Sequence, residues 1–259
     1  RHGPGRVIFR NTRAAMSGFP GRKAHLVPLV PDRDKEQWMT HSVTEFVNDS
    51  ATSEETQKIS LNYDPRIAWL ARLLHELGEE KVLLICRSRE KALAIEKAVN
   101  RQIPVKVGVF HEDLTLIQRD RNAAWFAEED GARLLICSEI GSEGRNFQFV
   151  QHLVLFDLPL NPELLEQRIG RLDRIGQTKT IHLHVPYLKG SPQEVLARWY
   201  HEGLNAFENN LVGASQLLQE FGKQVFTLAS EYSEPEKLND LITKTAAKHS
   251  VIASQLEQG

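Results

Sequence analysis

The sequence has few of the residues that hold together small secreted proteins or cross a membrane. Its 259 residues include only two cysteines, Cys86 and Cys137, which excludes a disulfide framework. Each cysteine ends an apolar run, so we expect both to be small buried residues in a reducing cytoplasm, without a metal site. No apolar stretch reaches the roughly 18 residues that a membrane span needs, and we expect no membrane partner.

The chain also has little net charge. It contains 32 Lys and Arg against 34 Asp and Glu, a formal net charge of −2, so no global basic field would attract nucleic acid. Any contact with nucleic acid must then be local. Hydrophobic residues make up 41% of the sequence, which is enough for a core in one domain plus an extension.

From Asp64 onward, short apolar runs alternate with amphipathic segments. The runs at 81–86, 133–137 and 153–157 have the length and composition of buried strands. Apolar strands separated by helices are typical of a parallel sheet covered by helices on both faces, which predicts an α/β, RecA-like lobe. The other predicted elements are helices over 65–77, 89–100, 115–129 and 162–171, and strands over 105–110 and 180–185.

The segments on either side of this lobe have a different character. Residues 1–60 carry short strands near Val7–Phe9 and His25–Leu29, a helix near Lys35–Val47 and a polar stretch with a mobile loop after it. We interpret 1–60 as a tail and linker, residues 61–188 as the RecA-like lobe, and 189–259 as a helical extension.

The extension has apolar side chains on three stripes at helical spacing. The stripes are Leu196, Trp199, Tyr200, Leu204 and Phe207; Leu217, Phe221, Val225, Leu228 and Tyr232; and Leu238, Ile242, Thr245, His249, Ile252 and Leu256. We expect them to pack within the chain. The alternatives are docking of the third stripe on a partner and stacking of Trp199 and Tyr200 on bases.

Three arginines follow one another at intervals of three in residues 167–177, QRIGRLDRIGQ. On one helix, Arg168, Arg171 and Arg174 would share a face, where their charges repel unless an anion or a set of acceptors compensates them. A guanidinium is a planar fork that matches phosphate oxygens, and two of them suit a transferring γ-phosphoryl group.

The alternative is a solvated basic face paired with the nearby Glu163, Glu166 and Asp173. Gly170 and Gly176 favour the anion site, because each costs about 1 kcal/mol relative to Ala inside a helix. Glycines at such positions indicate a close backbone approach or a helix end.

A second motif, SEIGSEGRNF at 138–147, has a Ser, a Gly-rich turn and then Asn, and its glycines would let backbone amides approach a phosphate or ribose. Asn161 and Pro162 suit the N-cap and first residue of the helix that carries the arginines. The two motifs follow strands that end at Cys137 and Asp157. They should therefore meet at the carboxyl edge of the sheet, where open α/β sheets bind ligands.

These two motifs resemble the fifth and sixth motifs of the superfamily-two helicases, and 156–167 resembles the approach to the sixth motif in the Swi/Snf branch. The chain is similar, more narrowly, to the bacterial RNA-polymerase-associated ATPases of the Swi/Snf type. That similarity is carried by GRVIFRNTR (5–13), GFP (18–20), YDPRIAWL (63–70), FHEDLTLIQRDRNAAWFAEED (110–130), CSEIGSEGRNFQF (137–149), residues 156–177, HVPY (184–187) and RWYHEGLNAFE (198–208).

The resemblance implies the second motor lobe of a DNA-dependent ATPase that translocates on DNA and remodels or recycles RNA polymerase. By resemblance, Arg171 and Arg174 are arginine fingers, each contributing on the order of 10³–10⁵ to turnover. Ser138 would touch a nucleic-acid phosphate, and Arg168 would organise the cleft or form a structural ion pair. The expected nucleotide-binding residues are Gly141, Gly144, Asn146, Gln167 and Arg168.

Two parts of such an ATPase are not found in the sequence. Gly222 and Lys223 are followed by Gln224 and lack the earlier Gly of a phosphate-binding loop, and there is no Asp-Glu dipeptide to hold Mg²⁺. We expect ATP and Mg²⁺ to be held mainly by a missing N-terminal lobe, and this chain to be inactive alone. Because the sequence starts at Arg1 without Met or signal, we expect it to be part of a longer protein. The resemblance implies that this protein is cytoplasmic and nucleoid-associated. Its expected partners are double-stranded DNA, RNA polymerase and the missing lobe.

Two acidic residues depart from the family pattern. Glu139 and Glu143 place carboxylates where phosphates should approach, which weakens binding unless they point away or pair with Arg145. Two other functions stay open at this point. One is a strand-separating helicase lobe, and the other is a non-catalytic RecA-like scaffold that binds a protein through its C-terminal helices.

Overall fold

A six-stranded, all-parallel sheet forms the centre of the computed structural model, which describes residues 21–31, 34–51, 61–141, 146–173, 177–231 and 235–257. The strands lie in the order β1-β6-β5-β2-β4-β3. They are β1 (Arg22–Leu29), β2 (Val82–Cys86), β3 (Val107–Phe110), β4 (Leu134–Ser138), β5 (His152–Leu155) and β6 (Ile181–Leu188).

Helices cover both faces of this sheet. They are α1 (Lys35–Ser50), α2 (Pro65–Glu76), α3 (Arg89–Gln102), α4 (Leu116–Ala127), α5 (Pro162–Ile169), α6 (Pro192–Arg198), α7 (Ala214–Glu231) and α8 (Pro235–Glu257), with a π-helical turn at Trp199–Gly203 after α6. The predicted RecA-like α/β lobe is confirmed. Every residue of β2, β4 and β5 is buried, because both faces of the central strands are covered.

Local capping explains where the helices begin. Asn161 accepts a hydrogen bond from the backbone of Glu163 at 2.9 Å and Pro162 is the first residue of α5, as predicted. The side chain of Asp64 accepts in the same way from Arg66 at the start of α2. In the part of the chain that the structure describes, no helix is long and apolar enough to cross a membrane.

One strand comes from the range that the sequence suggested was a linker. β1 pairs with β6 along its full length, from Arg22 opposite Ile181 to Leu29 opposite Leu188. The helix predicted from Lys35 continues to Ser50. The predicted strand near Val7–Phe9 and the loop after α1 lie outside the described residues, and the three domain boundaries stay a prediction.

The helical extension packs on the lobe and on itself. Within its stripes, Trp199, Tyr200, Leu217 and Val225 are fully buried, and Thr245 of α8 accepts a hydrogen bond from the Trp199 ring at 3.1 Å. Packing within the chain is therefore confirmed for the described part of the stripes. Stacking of Trp199 and Tyr200 on bases was wrong, because neither ring is accessible.

Candidate functional site at the carboxyl edge of the sheet

Arg168 is the anchor of the sixth motif. Its Nε donates to Glu139 at 2.8 Å, and its Nη1 donates to the backbone carbonyl of Asp157 at 2.6 Å and to the carboxylate at 3.0 Å. All three residues are buried. Burial opposes the charge of Asp157, but Lys91 and Arg168 outweigh it and hold the pKa of this carboxyl below its usual value. Arg168 is therefore an internal ion-pair partner rather than part of a solvated basic face.

Lys91, which the sequence did not single out, lies at the centre of the same network. Its buried ammonium is 2.8 Å from Asp157 and 2.8 Å from Glu45, and it also contacts Asp49. Three carboxylates of this kind could hold a metal ion. Here the Lys91 ammonium already bonds to each of them, and it serves as the cation of the cluster.

This network attaches α1 to the site. Glu45 bonds to Arg66 at 2.9 Å, and Arg66 and Lys91 hold the pKa of Glu45 far below its usual value although burial opposes this. Asp49 has the opposite shift. Burial raises the pKa of Asp49 to about 7. The Lys91 ammonium opposes this rise only in part, because the Asp157 and Glu45 charges add to it.

The structure explains how the fifth motif accommodates Glu139, which departs from the family pattern. Its carboxylate turns inward and bonds to Arg168 and, at 2.8 Å, to Arg87, which follows β2. It therefore points away from the open edge, which is one of the two ways to avoid repelling a phosphate. Glu143 and Arg145 lie outside the described residues.

The predicted arginine face does not include Arg171. The helix ends at Ile169 rather than at 171, and Arg171 lies in the turn that follows Gly170. The turn forms because Leu172 enters the core and the carbonyl of Arg171 accepts a hydrogen bond from Phe147 at 2.9 Å. The prediction that Arg171 shares a helical face with Arg168 was therefore wrong, and for Arg174 it stays a prediction.

The side chain of Arg171 is largely enclosed in this lobe. The residue is 7% exposed. Burial raises the pKa of the Cys137 thiol, and the charge of Arg171 opposes this rise in part. Both cysteines are free and buried, as predicted. Arg174 lies outside the described residues.

The fifth motif begins with two close contacts. The hydroxyl of Ser138 donates to Glu112 at 2.6 Å and accepts from the backbone of Gly141 at 3.0 Å. A Cβ on Gly141 would lie 2.6 Å from the Cα of His111 and 2.7 Å from the carbonyl oxygen of Phe110. Glycine is thus required there by packing between the ends of β3 and β4.

The other predicted nucleotide-binding residues are divided between surface and interior. Asn146 and Gln167 are exposed, whereas Gly141 and Arg168 are buried. Gly144 lies outside the described residues. Of this set, the structure leaves Asn146 and Gln167 accessible to a ligand.

Gln177 joins the two motifs, and its role was missed. Its amide nitrogen donates to the carbonyls of Gln148, Val150 and Leu172 at 3.0 to 3.3 Å. Its amide oxygen accepts from the backbone of Thr178 at 3.1 Å. The sequence motif marks Gln177 as part of a family pattern but carries no local sign that a buried amide closes the end of the sixth motif onto the fifth.

Two family models match consecutive parts of the chain, and the second begins just after the sixth motif. The helicase conserved C-terminal domain matches residues 65–176, and the C-terminal domain of the RNA polymerase recycling family matches residues 180–259. Over 280 aligned residues the chain is 45% identical to the RNA polymerase-associated protein RapA of Photobacterium profundum. The chain belongs to the RapA family. The alignment covers all of this chain and 28% of that relative.

Solved structures support the same fold. The SWI2/SNF2 ATPase core of Sulfolobus solfataricus in complex with double-stranded DNA has a TM-score of 0.56 at 15% identity, covering 81% of this chain and 48% of that one. The C-terminal part of the Fun30 ATPase domain has a TM-score of 0.50 at 17% identity, covering 78% and 69%. They show the same fold as the helicase C-terminal domain that the family model matches.

Proposed function

We propose that this chain is the second motor lobe of a DNA-dependent, ATP-hydrolysing translocase that remodels or recycles RNA polymerase. In this proposal Arg174 and Arg171 act on the γ-phosphate of ATP held by an N-terminal lobe. RNA polymerase as the partner follows from the name of the RapA relative, and double-stranded DNA from the Sulfolobus complex. The same relationship favours a cytoplasmic, nucleoid-associated protein.

The anchoring of Arg168 is the observation that carries this proposal. Its guanidinium is held by Glu139 from the fifth motif and Asp157 at the end of β5. The end of α5 and the turn that follows it at 170–173 are thereby fixed at the carboxyl edge. A preorganised cation needs such a fixed base if it is to stabilise charge in a transition state.

The exposed residues at this edge fit a nucleotide. Asn146 and Gln167 are accessible polar side chains, whereas the donors of Arg168 are engaged inside the lobe. We therefore assign Arg168 to positioning, and Asn146 and Gln167 to direct contact. Gly141 and Gly144 would contribute by letting the fifth motif approach closely. Bound ATP supplies the phosphoryl group to be transferred, and this chain supplies the cations.

The two arginines would act differently. Arg171 is 7% exposed in the lobe, so its side chain must leave its buried position to reach a phosphate held by another lobe. Arg174 is separated from the anchored Arg168 by six positions and is our main candidate for the finger. Magnesium would be held by the N-terminal lobe, since the acidic cluster described above already binds Lys91.

A DNA contact at Ser138 would require an exchange of partners. The hydroxyl donates to Glu112 at 2.6 Å, and a DNA phosphate would have to replace that carboxylate. Glu112 must then turn away, because two anions at one hydroxyl repel each other. We propose Ser138 as a phosphate contact only in the DNA-bound state.

The test is DNA-stimulated ATP turnover by the full-length protein, comparing Arg174→Ala with Arg198→Ala. Arg198 is a matched control because its guanidinium pairs with Glu202 on the surface of the extension. We expect Arg174→Ala to lower kcat by roughly 10³-fold or more with the Kd for ATP largely kept, and the control to keep both. Turnover that survives Arg174→Ala would overturn the finger role and leave the arginines as a structural or partner-binding surface. The lobe by itself should not hydrolyse ATP.

A further inference from the structure

Arg22, at the start of β1, joins parts of the chain that are far apart in sequence. Its Nε donates to Asp173 at 2.5 Å, and its Nη1 lies 3.3 Å from Glu166 of α5. Its Nη2 donates to the side-chain oxygen of Asn210 at 2.7 Å, in the loop before α7. Only 3% of the side-chain surface of Arg22 and of Asp173 is exposed, so solvent and salt screen this pair little.

Asp173 is the residue directly before Arg174. Its side chain is held by Arg22, and its backbone N–H donates to the carbonyl of Ile169 at 3.1 Å. On the other side of Arg174, Gln177 is held by the hydrogen bonds to the fifth motif described above. Asp173 and Gln177, the described residues on either side of Arg174, are therefore both held by hydrogen bonds.

The extension holds the sixth motif at its entry as well as at its exit. Gln193 of α6 accepts a hydrogen bond from the backbone of Leu158 at 2.7 Å. The hydroxyl of Tyr200 donates to the carbonyl of Pro159 at 2.7 Å, just before α5. At the exit, Asn210 reaches Asp173 through Arg22. A displacement of the extension would therefore be felt at both ends of α5.

We propose that Arg22 is a positioning residue that couples the helical extension to Arg174. Asn210 and the backbone carbonyl of Asn209, at 3.3 Å, hold one side of its guanidinium, and Asp173 and Glu166 hold the other. If a partner moves the loop at 209–210, Arg22 loses two of its acceptors, and its guanidinium no longer holds the side chain of Asp173 in one position. Turnover would then change while the Kd for ATP is kept, because Arg174 is proposed to act in the transition state. This inference rests on the proposed function of Arg174.

Asn210→Ala tests the link without removing a buried charge. The matched control is Asn239→Ala, because Asn239 also accepts a 2.7 Å hydrogen bond from an arginine, Arg198, within the extension. In the full-length protein with DNA, we expect Asn210→Ala to lower kcat roughly 10-fold, as for a lost bond to a charged group, with an unchanged Kd for ATP. Asn239→Ala should leave kcat unchanged, and thermal unfolding should show both variants folded.

Arg22→Lys tests the same link from its centre. It keeps the charge near Asp173, but one ammonium cannot span the distance between Asp173 and Asn210 as a guanidinium does. We expect a fall in kcat similar to that of Asn210→Ala.

The decisive comparison places Asn210→Ala in an Arg174→Ala background. If Asn210 acts through Arg174, the double variant should turn over ATP at the rate of Arg174→Ala alone. An independent, multiplicative loss, or equal behaviour of Asn210→Ala and Asn239→Ala, overturns the coupling. Unimpaired turnover by Arg174→Ala itself overturns the proposed function instead, so the two failures are distinguishable.

Discussion

Arg168 donates to Oδ1 of Asp157 at 3.0 Å, and Lys91 donates to Oδ2 of the same carboxylate at 2.8 Å. This one side chain therefore connects the helix of the sixth motif with α3. Through Lys91 the connection continues to Glu45 and Asp49 of α1. The sixth motif and the helix that precedes the lobe are thus held by a shared, buried set of charges.

Replacing Asp157 with Asn should destabilise the lobe strongly. The substitution leaves two buried cations short of one negative charge, and we expect the free energy of unfolding to fall by about 3 kcal/mol. Urea unfolding of this chain, followed by circular dichroism, measures the change. Asp240→Asn is the control, because its pair with Lys244 is 63% exposed on the aspartate side and should contribute less than about 0.5 kcal/mol. Equal effects of the two variants would contradict the structural role of the network.

Gly141→Ala should destabilise the start of the fifth motif. The added Cβ would lie 2.6 Å from the Cα of His111, and backbone on both sides leaves it no room, so we expect a loss of about 1–3 kcal/mol. Gly21→Ala is the matched control, since nothing lies within 4 Å of its added Cβ. Thermal unfolding of the two variants decides the point, and a harmless Gly141→Ala would show that this glycine has another purpose.

Gln177→Ala should loosen the junction of the two motifs. Carbonyls that its amide now satisfies would lose a buried donor, and we expect a loss of about 2 kcal/mol. The backbone N–H groups of Thr178 and Lys179 donate to its amide oxygen, so their hydrogen exchange should become faster. Gln167→Ala, at an exposed position, is the control. Unchanged exchange at both amides would be incompatible with a Gln177 clamp.

Four histidines form a stacked cluster on one face of β1, β5 and β6. His25 and His182 share a hydrogen bond of 3.0 Å, as do His152 and His184, and neighbouring rings are 4.9–5.3 Å apart. Burial lowers the pKa of His184 to about 3, with the other three rings adding to the shift. Burial also lowers the pKa values of His25 and His152.

The stability of the lobe should therefore fall with acidification. The folded pKa of His184 lies below the unfolded value of 6.5, so its contribution is complete above pH 6.5 and is lost as the pH falls toward 3. In that window each proton taken up preferentially on unfolding lowers stability by about 1.4 kcal/mol per pH unit. Chemical unfolding between about pH 5 and 7.5 should show a shallower dependence for His184→Phe than for the unmodified chain.

Three other charged groups affect the pH dependence measured in this experiment. Lys23 adds to the lowering at His25, and Glu80 opposes it at His152. The pKa of Asp49 is raised to about 7, so the contribution of Asp49 to the stability of the lobe is lost as the pH rises toward that value. This effect has the opposite sign to that of His184. Comparison of His184→Phe with the exposed His75→Phe cancels the Asp49 contribution. Identical pH profiles for those two variants would refute the role of the cluster.

Much of the fold could be read from local patterns. The buried strands at 81–86 and 133–137 are found within one residue of their predicted positions, because a strand covered on both faces must be apolar throughout. The start of α5 was predicted from Asn161 and Pro162, because a helix cap depends on its own neighbours. The end of α5 was not, because it depends on Leu172 entering the core.

The candidate site was predicted as a location more than as a set of contacts. The carboxyl edge and its two motifs follow from strand order and chain direction, which the alternating pattern contains. The partners of Arg168 do not, since Glu139 is 29 residues away and its own second partner, Arg87, is 52 residues from it. Neither residue carries a local sign of that pairing.

The amino-acid sequence by itself determined the RecA-like lobe, the two motifs and their family, because hydrophobic period, caps and motif spacing are properties of neighbouring residues. Only the tertiary structure decided which charges are buried together. Lys91 among its carboxylates and Arg22 between Asp173 and Asn210 depend on elements brought together by the sheet. A buried charge is stable only beside a group that compensates it, and the fold determines which residue supplies that group.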